Sequence, residues 1–210
     1  MNRITFFFIL TVIPVFKSFL CRILYSGNNI VIGKNFRPDG IPRIIVEKNA
    51  KLIIGDNVQF RSGIEIRAHK NSIIRIEDNV RLDRGIRLLS TNNSLIQIGK
   101  GSRIGLYTVF NGGDSINIGP KCLISGFCYL QTSMHKFEKL NVPVQEQGYQ
   151  HLPVILNEDV WLGTHVVVLP GITLGRGTVV GSNAVVTKSF GDYKILAGLP
   201  AKEINNRNEI

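Results

Sequence analysis

Cysteine is scarce in this chain. The three present (Cys21, Cys122 and Cys128) are too few, and odd in number, for a disulfide framework. A reducing compartment, the cytoplasm, is therefore the default. Acidic residues are also scarce: 15 Asp and Glu stand against 25 Lys and Arg, for a net charge of +10. The excess points to an anionic partner, and nucleic acid, a membrane surface and a polyphosphate cofactor each satisfy it. Aromatic residues make up only 8% and are not interleaved with the basic ones, and no nucleic-acid motif is present, which argues against nucleic acid. No apolar run reaches the roughly 20 residues of a membrane-spanning helix. What the chain has in quantity is Ile, Leu and Val, spread throughout 210 residues that are 44% hydrophobic. Disorder is excluded as the main state, and the length suits one domain with its own core.

The amino-terminal segment, residues 1–27, stands apart. Residues 4–16 read ITFFFILTVIPVF, followed by Lys17 and Arg22. The flank SFLCRILYSG makes a poor signal cleavage site, and Pro14 kinks any helix there. One reading lays residues 4–25 in a membrane interface, at the inner face of the membrane, with Arg3, Lys17 and Arg22 near lipid phosphates. The other is a helix that caps the core or packs between subunits. The run is apolar on every face, so periodicity does not separate them.

A repeat of six residues organises the rest. In LNEDVWLGTHVVVLPGITLGRGTVVGSNAVVTKS, Leu156, Leu162, Val168, Leu174, Val180 and Val186 fall six apart. The same frame runs upstream from Ile32 through Leu130, and 18 of its 21 positions are Ile, Leu or Val. Gly follows the frame residue at Gly33, Gly55, Gly99, Gly105, Gly119, Gly163, Gly175 and Gly181, as tight turns require. Six residues are too few for a helical repeat and fit a β-solenoid of short strands and turns, three units per triangular coil. The triplets start at Ile32, Ile54, Ile76 and Ile98, 22 apart, so four extra residues fall after every third unit and stack at one corner. The long insertion at 131–153 projects from that corner and carries His135 and His151.

On these residues the chain resembles the hexapeptide-repeat acyltransferases, all-β proteins whose fold is a left-handed parallel β-helix. The resemblance covers about 28–202 and is strongest over 153–202, where PVILNEDVWLGTHVVVLPGITLGRGTVVGSNAVVTKSF and then AGLPAK are similar to the maltose/galactoside acetyltransferase branch. Within that branch the sugar O-acetyltransferases of surface polysaccharide (lipopolysaccharide, capsule) are the nearest in kind. The resemblance implies a β-helix over 28–190, a tail over 191–210 that completes a coenzyme A site, and a homotrimer with active sites between subunits. It implies acetyl transfer from acetyl-CoA to a sugar or glycan hydroxyl.

By the same resemblance His135, in LQTSMHKFE, is the general base. An acceptor hydroxyl must lose its proton as it attacks the thioester, and a neutral imidazole takes that proton near neutral pH. A backbone N–H would stabilise the oxyanion. Asn111 and His151 are placed by it on the acceptor side. Trp161, Gly163 and Thr164 fall near the thioester and pantetheine, Ser182, Thr187 and Lys188 along the pantetheine arm, and Lys202 near the adenosine phosphates. The chain departs from the family at Ser182, where Ala is frequent, and at Gly191-Asp192, which replaces a Pro-rich turn. Glu146 reads as an exposed loop carboxylate, with orientation of His135 as the lesser alternative; His69 reads as a solvated corner residue and His165 as structural. Cys122 and Cys128 occupy the small-residue core slots of Thr178 and Ala184. No closely spaced His pair suggests a metal.

Two alternatives stay open. The same machinery would acetylate the nitrogen of an amino sugar or a small xenobiotic. A non-catalytic β-helix that binds a polyanion would use Arg61, Arg67, Arg75, Arg81, Arg84, Arg87 and Arg103 of the middle coils.

Overall fold

A computed structural model describes residues 13–25 and 27–209. The chain winds into a triangular β-solenoid. Its first and third faces have seven strands each and its second has nine. First-face strands begin at Ile30, Lys51, Ile73, Leu95, Ile116, Val154 and Thr173. Each coil hydrogen-bonds in parallel to the next, so Ile30 pairs with Leu52 and Leu52 with Ile74. Frame residues point inward: Ile54, Phe60, Ile66, Leu82, Leu88 and Leu130 are all buried. Only Ile32 and Ile44, in the end coil, are partly exposed. The period of two along each short strand puts the alternate residues outside.

The corners explain the glycines and asparagines. At the first corner one slot in each coil turns through positive φ, filled by Asn35, Asn57, Asn79, Gly101, Lys121, Asp159 and Gly177. A different constraint acts at Gly99, where a Cβ would lie 2.5 Å from the carbonyl carbon of Gly119 in the next coil. Cys122 and Cys128 are buried, with their thiols 3.1 and 3.2 Å from the carbonyls of Asn157 and Gly163. Thr178 fills the equivalent slot and donates to the carbonyl of Gly191 at 2.9 Å.

Helix α1 (Ile13–Leu24) lies against the open end of the coil and buries Pro14, Ser18 and Cys21. Arg22 donates to the carbonyls of Ile32, at 2.7 Å, and Gly33, and Lys17 donates to that of Asp39. These two cations therefore hold the helix to carbonyls of the first coil. Residues 4–12 of the apolar run lie outside the described residues. At the other end, Lys194–Ala197 extends the second face in parallel with Val179–Val180, and Lys202–Asn206 folds back on it antiparallel.

The extra residues stack at the third corner, as their spacing predicts. Asn71 there bonds to Asn93, one coil on, at 3.1 Å. The long insertion leaves this corner as an arm. Its stem is an antiparallel pair, Ser133–His135 with Tyr149–His151, and its tip a short 3-10 turn, Val144–Glu146. Buried Thr132 anchors the stem, accepting from Leu152 N–H at 3.0 Å.

The basic middle coils do not form one patch. Arg81 and Arg103 stand on the second face, Arg67 and Arg87 on the third, and Arg75 on the first. Arg61 is paired with Asp39 at 2.8 Å, and Arg67 and Arg87 flank Glu65. Arg75, Arg81, Arg84 and Arg103 have no acidic partner among the described residues.

Candidate active site

The arm brings three rings into a row. The stem register sets His135 opposite Tyr149 and Ser133 opposite His151. The His135 and Tyr149 rings are 4.1 Å apart between centroids, tilted by 39°, and Tyr149 and His151 are 6.0 Å apart, near parallel. Ser133 Oγ lies 2.9 Å from His151 Nδ1. Below them, Gly113 leaves the room the stem needs: a Cβ there would sit 2.0 Å from Ser133 Oγ and 2.7 Å from His151 Nδ1.

His135 Nδ1 is buried and has no hydrogen-bond partner among the described residues. An unmet buried donor or acceptor costs about 1–3 kcal/mol, a cost seldom retained without a reason. His135 is itself only partly buried, which leaves Nε2 as the nitrogen open to a substrate. An imidazole accepting a proton at Nε2 carries its hydrogen on Nδ1, and a hydrogen-bond acceptor there would fix that tautomer. Among the described residues none is in reach. Glu146 sits exposed at the tip of the arm and its carboxylate bonds to none of the described residues, so within this chain it does not orient His135. Asn111 lies one coil below the arm on the third face, in register with Gln131, and its amide donates to Tyr129 Oη at 3.0 Å.

The residues assigned to coenzyme A separate into two groups. Trp161 points outward from the second face and is 47% exposed. Gly163, Thr164 and Ser182 occupy the adjoining second corner, and Lys202 stands opposite Ala197 on the terminal hairpin, beside the Gly181 coil. Thr187 and Lys188 belong to the third corner instead, where the Lys188 ammonium lies 5.4 Å from the Phe190 ring centre. The space above Gly163 is taken by the next coil, since a Cβ would meet Ser182 N at 2.6 Å. Thr164 Oγ1 lies 2.9 Å from the Gly126 carbonyl and 3.0 Å from His165 Nδ1. An exposed indole, an exposed hydroxyl (Ser182) and a terminal cation (Lys202) along one edge suit a long, adenine-ended polyanion.

Residues that the sequence did not single out complete the picture. Tyr149 and Ser133 hold the two arm histidines. At the second corner Tyr107 and Phe127 form a ladder with His165, the residue already read as structural, with centroids 5.6 and 4.9 Å apart. Each stands three positions after a frame residue (Ile104, Ile124, Leu162), so the frame carried the signal. The stack gives His165 a structural role.

Residues 153–188 match the bacterial transferase hexapeptide (six repeats) family. A probable acetyltransferase of Mycobacterium tuberculosis is 39% identical over 104 residues, 50% of this chain and 35% of that protein. A protein of Escherichia coli K12 named for O-acetyl transfer in lipopolysaccharide biosynthesis is 33% identical over 102 residues, 45% of this chain and 52% of its own. The chain thus spans about a third to a half of the length of these relatives. An N-acyltransferase from Bacillus cereus, solved with dTDP and coenzyme A, shares the fold with a TM-score of 0.61 and 25% identity, over 90% of this chain and 88% of that one. Residues 153–188 thus carry the repeat of the bacterial transferase hexapeptide family, within a coil of the same six-residue period that runs from Ile32 to Val186.

Proposed function

We propose that the chain is an acyltransferase that moves an acetyl group from acetyl-CoA to a hydroxyl of a sugar or glycan, a precursor of surface polysaccharide. The position of His135 carries the reading: an imidazole clamped by Tyr149, with Nε2 open, on an arm beside the coils that match the transferase repeat. His135 takes the proton from the acceptor hydroxyl as that oxygen bonds to the thioester carbon. The carbon–sulfur bond then breaks, and His135 returns the proton to the departing sulfur. Trp161, Ser182 and Lys202 hold the coenzyme.

The active unit is a trimer with its sites between copies. In one chain His135 stands at the third corner while Trp161 and Ser182 lie on the second face and second corner, with the third face between them. A neighbouring copy would bring its second corner to this arm, and it is also where an acceptor for His135 Nδ1 would come from.

The test is thiol release from acetyl-CoA with a panel of sugars, sugar nucleotides and glycans. Release that requires an acceptor hydroxyl, with an ester product by mass spectrometry, is the expected result. Failure of the chain to bind acetyl-CoA by calorimetry would overturn the proposal. Amide transfer to an amino sugar is the second reading, favoured by the solved N-acyltransferase, and amino-sugar acceptors in the same panel decide it.

A further inference from the structure

Helix α1 has two chemically different sides. Pro14, Ser18 and Cys21 pack on the first coil, while Val15, Phe16 and Phe19 face away and are 62, 63 and 60% exposed. Phe16 and Phe19 are three apart and so adjoin on the helix surface. An exposed apolar face of this kind marks a contact with protein or with lipid.

Charge distinguishes the two. The first acidic residue of the chain is Asp39, and before it stand Arg3, Lys17, Arg22, Lys34 and Arg37. Half of the net charge of +10 therefore belongs to the first 38 residues, with no acid among them. At the amino-terminal end of α1, Ile13, Pro14 and Lys17 share a cleft with Arg37 and Arg61 of the second face. Asp39 answers Arg61, whereas Arg37 has no acidic partner among the described residues. A second copy laid on this surface would set like charges against like. An anionic leaflet would not, and an apolar helix face beside basic residues is how interfacial helices bind one.

We infer that the outer face of α1 docks on an anionic membrane surface. Phe16, Phe19 and Val15 enter the boundary between headgroups and acyl chains, and Lys34 and Arg37 meet lipid phosphates. Lys17 and Arg22 add to the attraction from the flank while bonded to the first coil. The inference does not depend on acyl transfer, and its test does not measure it.

The test is sedimentation of the full chain with vesicles of phosphatidylcholine alone, or of equal parts phosphatidylcholine and phosphatidylglycerol. The chain pellets with the phosphatidylglycerol vesicles, stays in solution with the neutral ones, and is partly released by salt. Phe16→Glu with Phe19→Glu lowers binding about tenfold or more, whereas Phe16→Leu with Phe19→Leu retains it. Arg37→Glu, which leaves the helix sequence unchanged, weakens binding to the anionic vesicles. Circular dichroism and light scattering confirm that each variant keeps its fold and mass. Wild-type protein that stays in solution with both vesicles overturns the inference, as does a Phe16→Glu, Phe19→Glu protein that binds normally. If those substitutions instead lower the oligomeric mass, a second copy covers the face and the inference fails.

Discussion

Burial pushes the thiols of Cys122 and Cys128 up to about 11 from an ordinary 9.0. Between those values the unfolded chain binds fewer protons than the folded one, so stability falls as pH rises through the window. Denaturant midpoints should therefore decline across it, and less steeply for Cys122→Ser, whose hydroxyl does not titrate there. At neutral pH neither thiol should react with a disulfide reagent until the chain unfolds. If His135 is the base as proposed, Tyr149, whose ring lies 4.1 Å from it, acts on the reaction as a positioning residue. Tyr149→Ala should lower kcat about tenfold or more with little change in KM, and Tyr149→Phe, which keeps the ring, should restore it. The thiol slots were legible because they repeat in the frame. The Tyr149 contact was not, because the arm has no repeat and its stem register depends on how two unrelated segments pair.

Two glycines of one turn separate the demands that a coil places on its corners. At Gly99 the obstacle is the neighbouring coil, so Gly99→Ala should cost about 1–3 kcal/mol in chemical denaturation. At Gly101 the obstacle is its own backbone, at φ +73 with no atom near a would-be Cβ. Asn holds the same slot in three earlier coils, and Asn35 Nδ2 donates to Asn57 Oδ1 at 3.1 Å. Gly101→Asn should therefore leave stability unchanged or raised, while Gly101→Val should lower it by about 1–2 kcal/mol. The strands, faces and inserted corner could be read from period and spacing alone, since each coil must place the same groups 4.7–4.9 Å above the last. Helix α1 was ambiguous for the opposite reason: a run apolar on all sides carries no phase. The burial of Pro14, Ser18 and Cys21 and the bonds from Lys17 and Arg22 to the first coil show which side faces the core.

At the scale of the whole molecule, the coenzyme residues named from resemblance divide between two corners, with His135 at the third corner and Trp161 on the second face. A site shared between copies predicts complementation. His135→Ala and Trp161→Ala chains, each inactive or weak alone, should regain activity when co-expressed, because mixed trimers reunite an intact His135 with an intact Trp161. No recovery would place the whole site within one copy. The central claim, transfer by His135, is tested most directly by one comparison: single-turnover acetyl transfer by wild-type and His135→Ala protein, both saturated with acetyl-CoA. The account predicts unchanged acetyl-CoA affinity and a transfer rate lower by about 10²–10⁴. A His135→Ala protein that transfers acetyl at near the wild-type rate would contradict it.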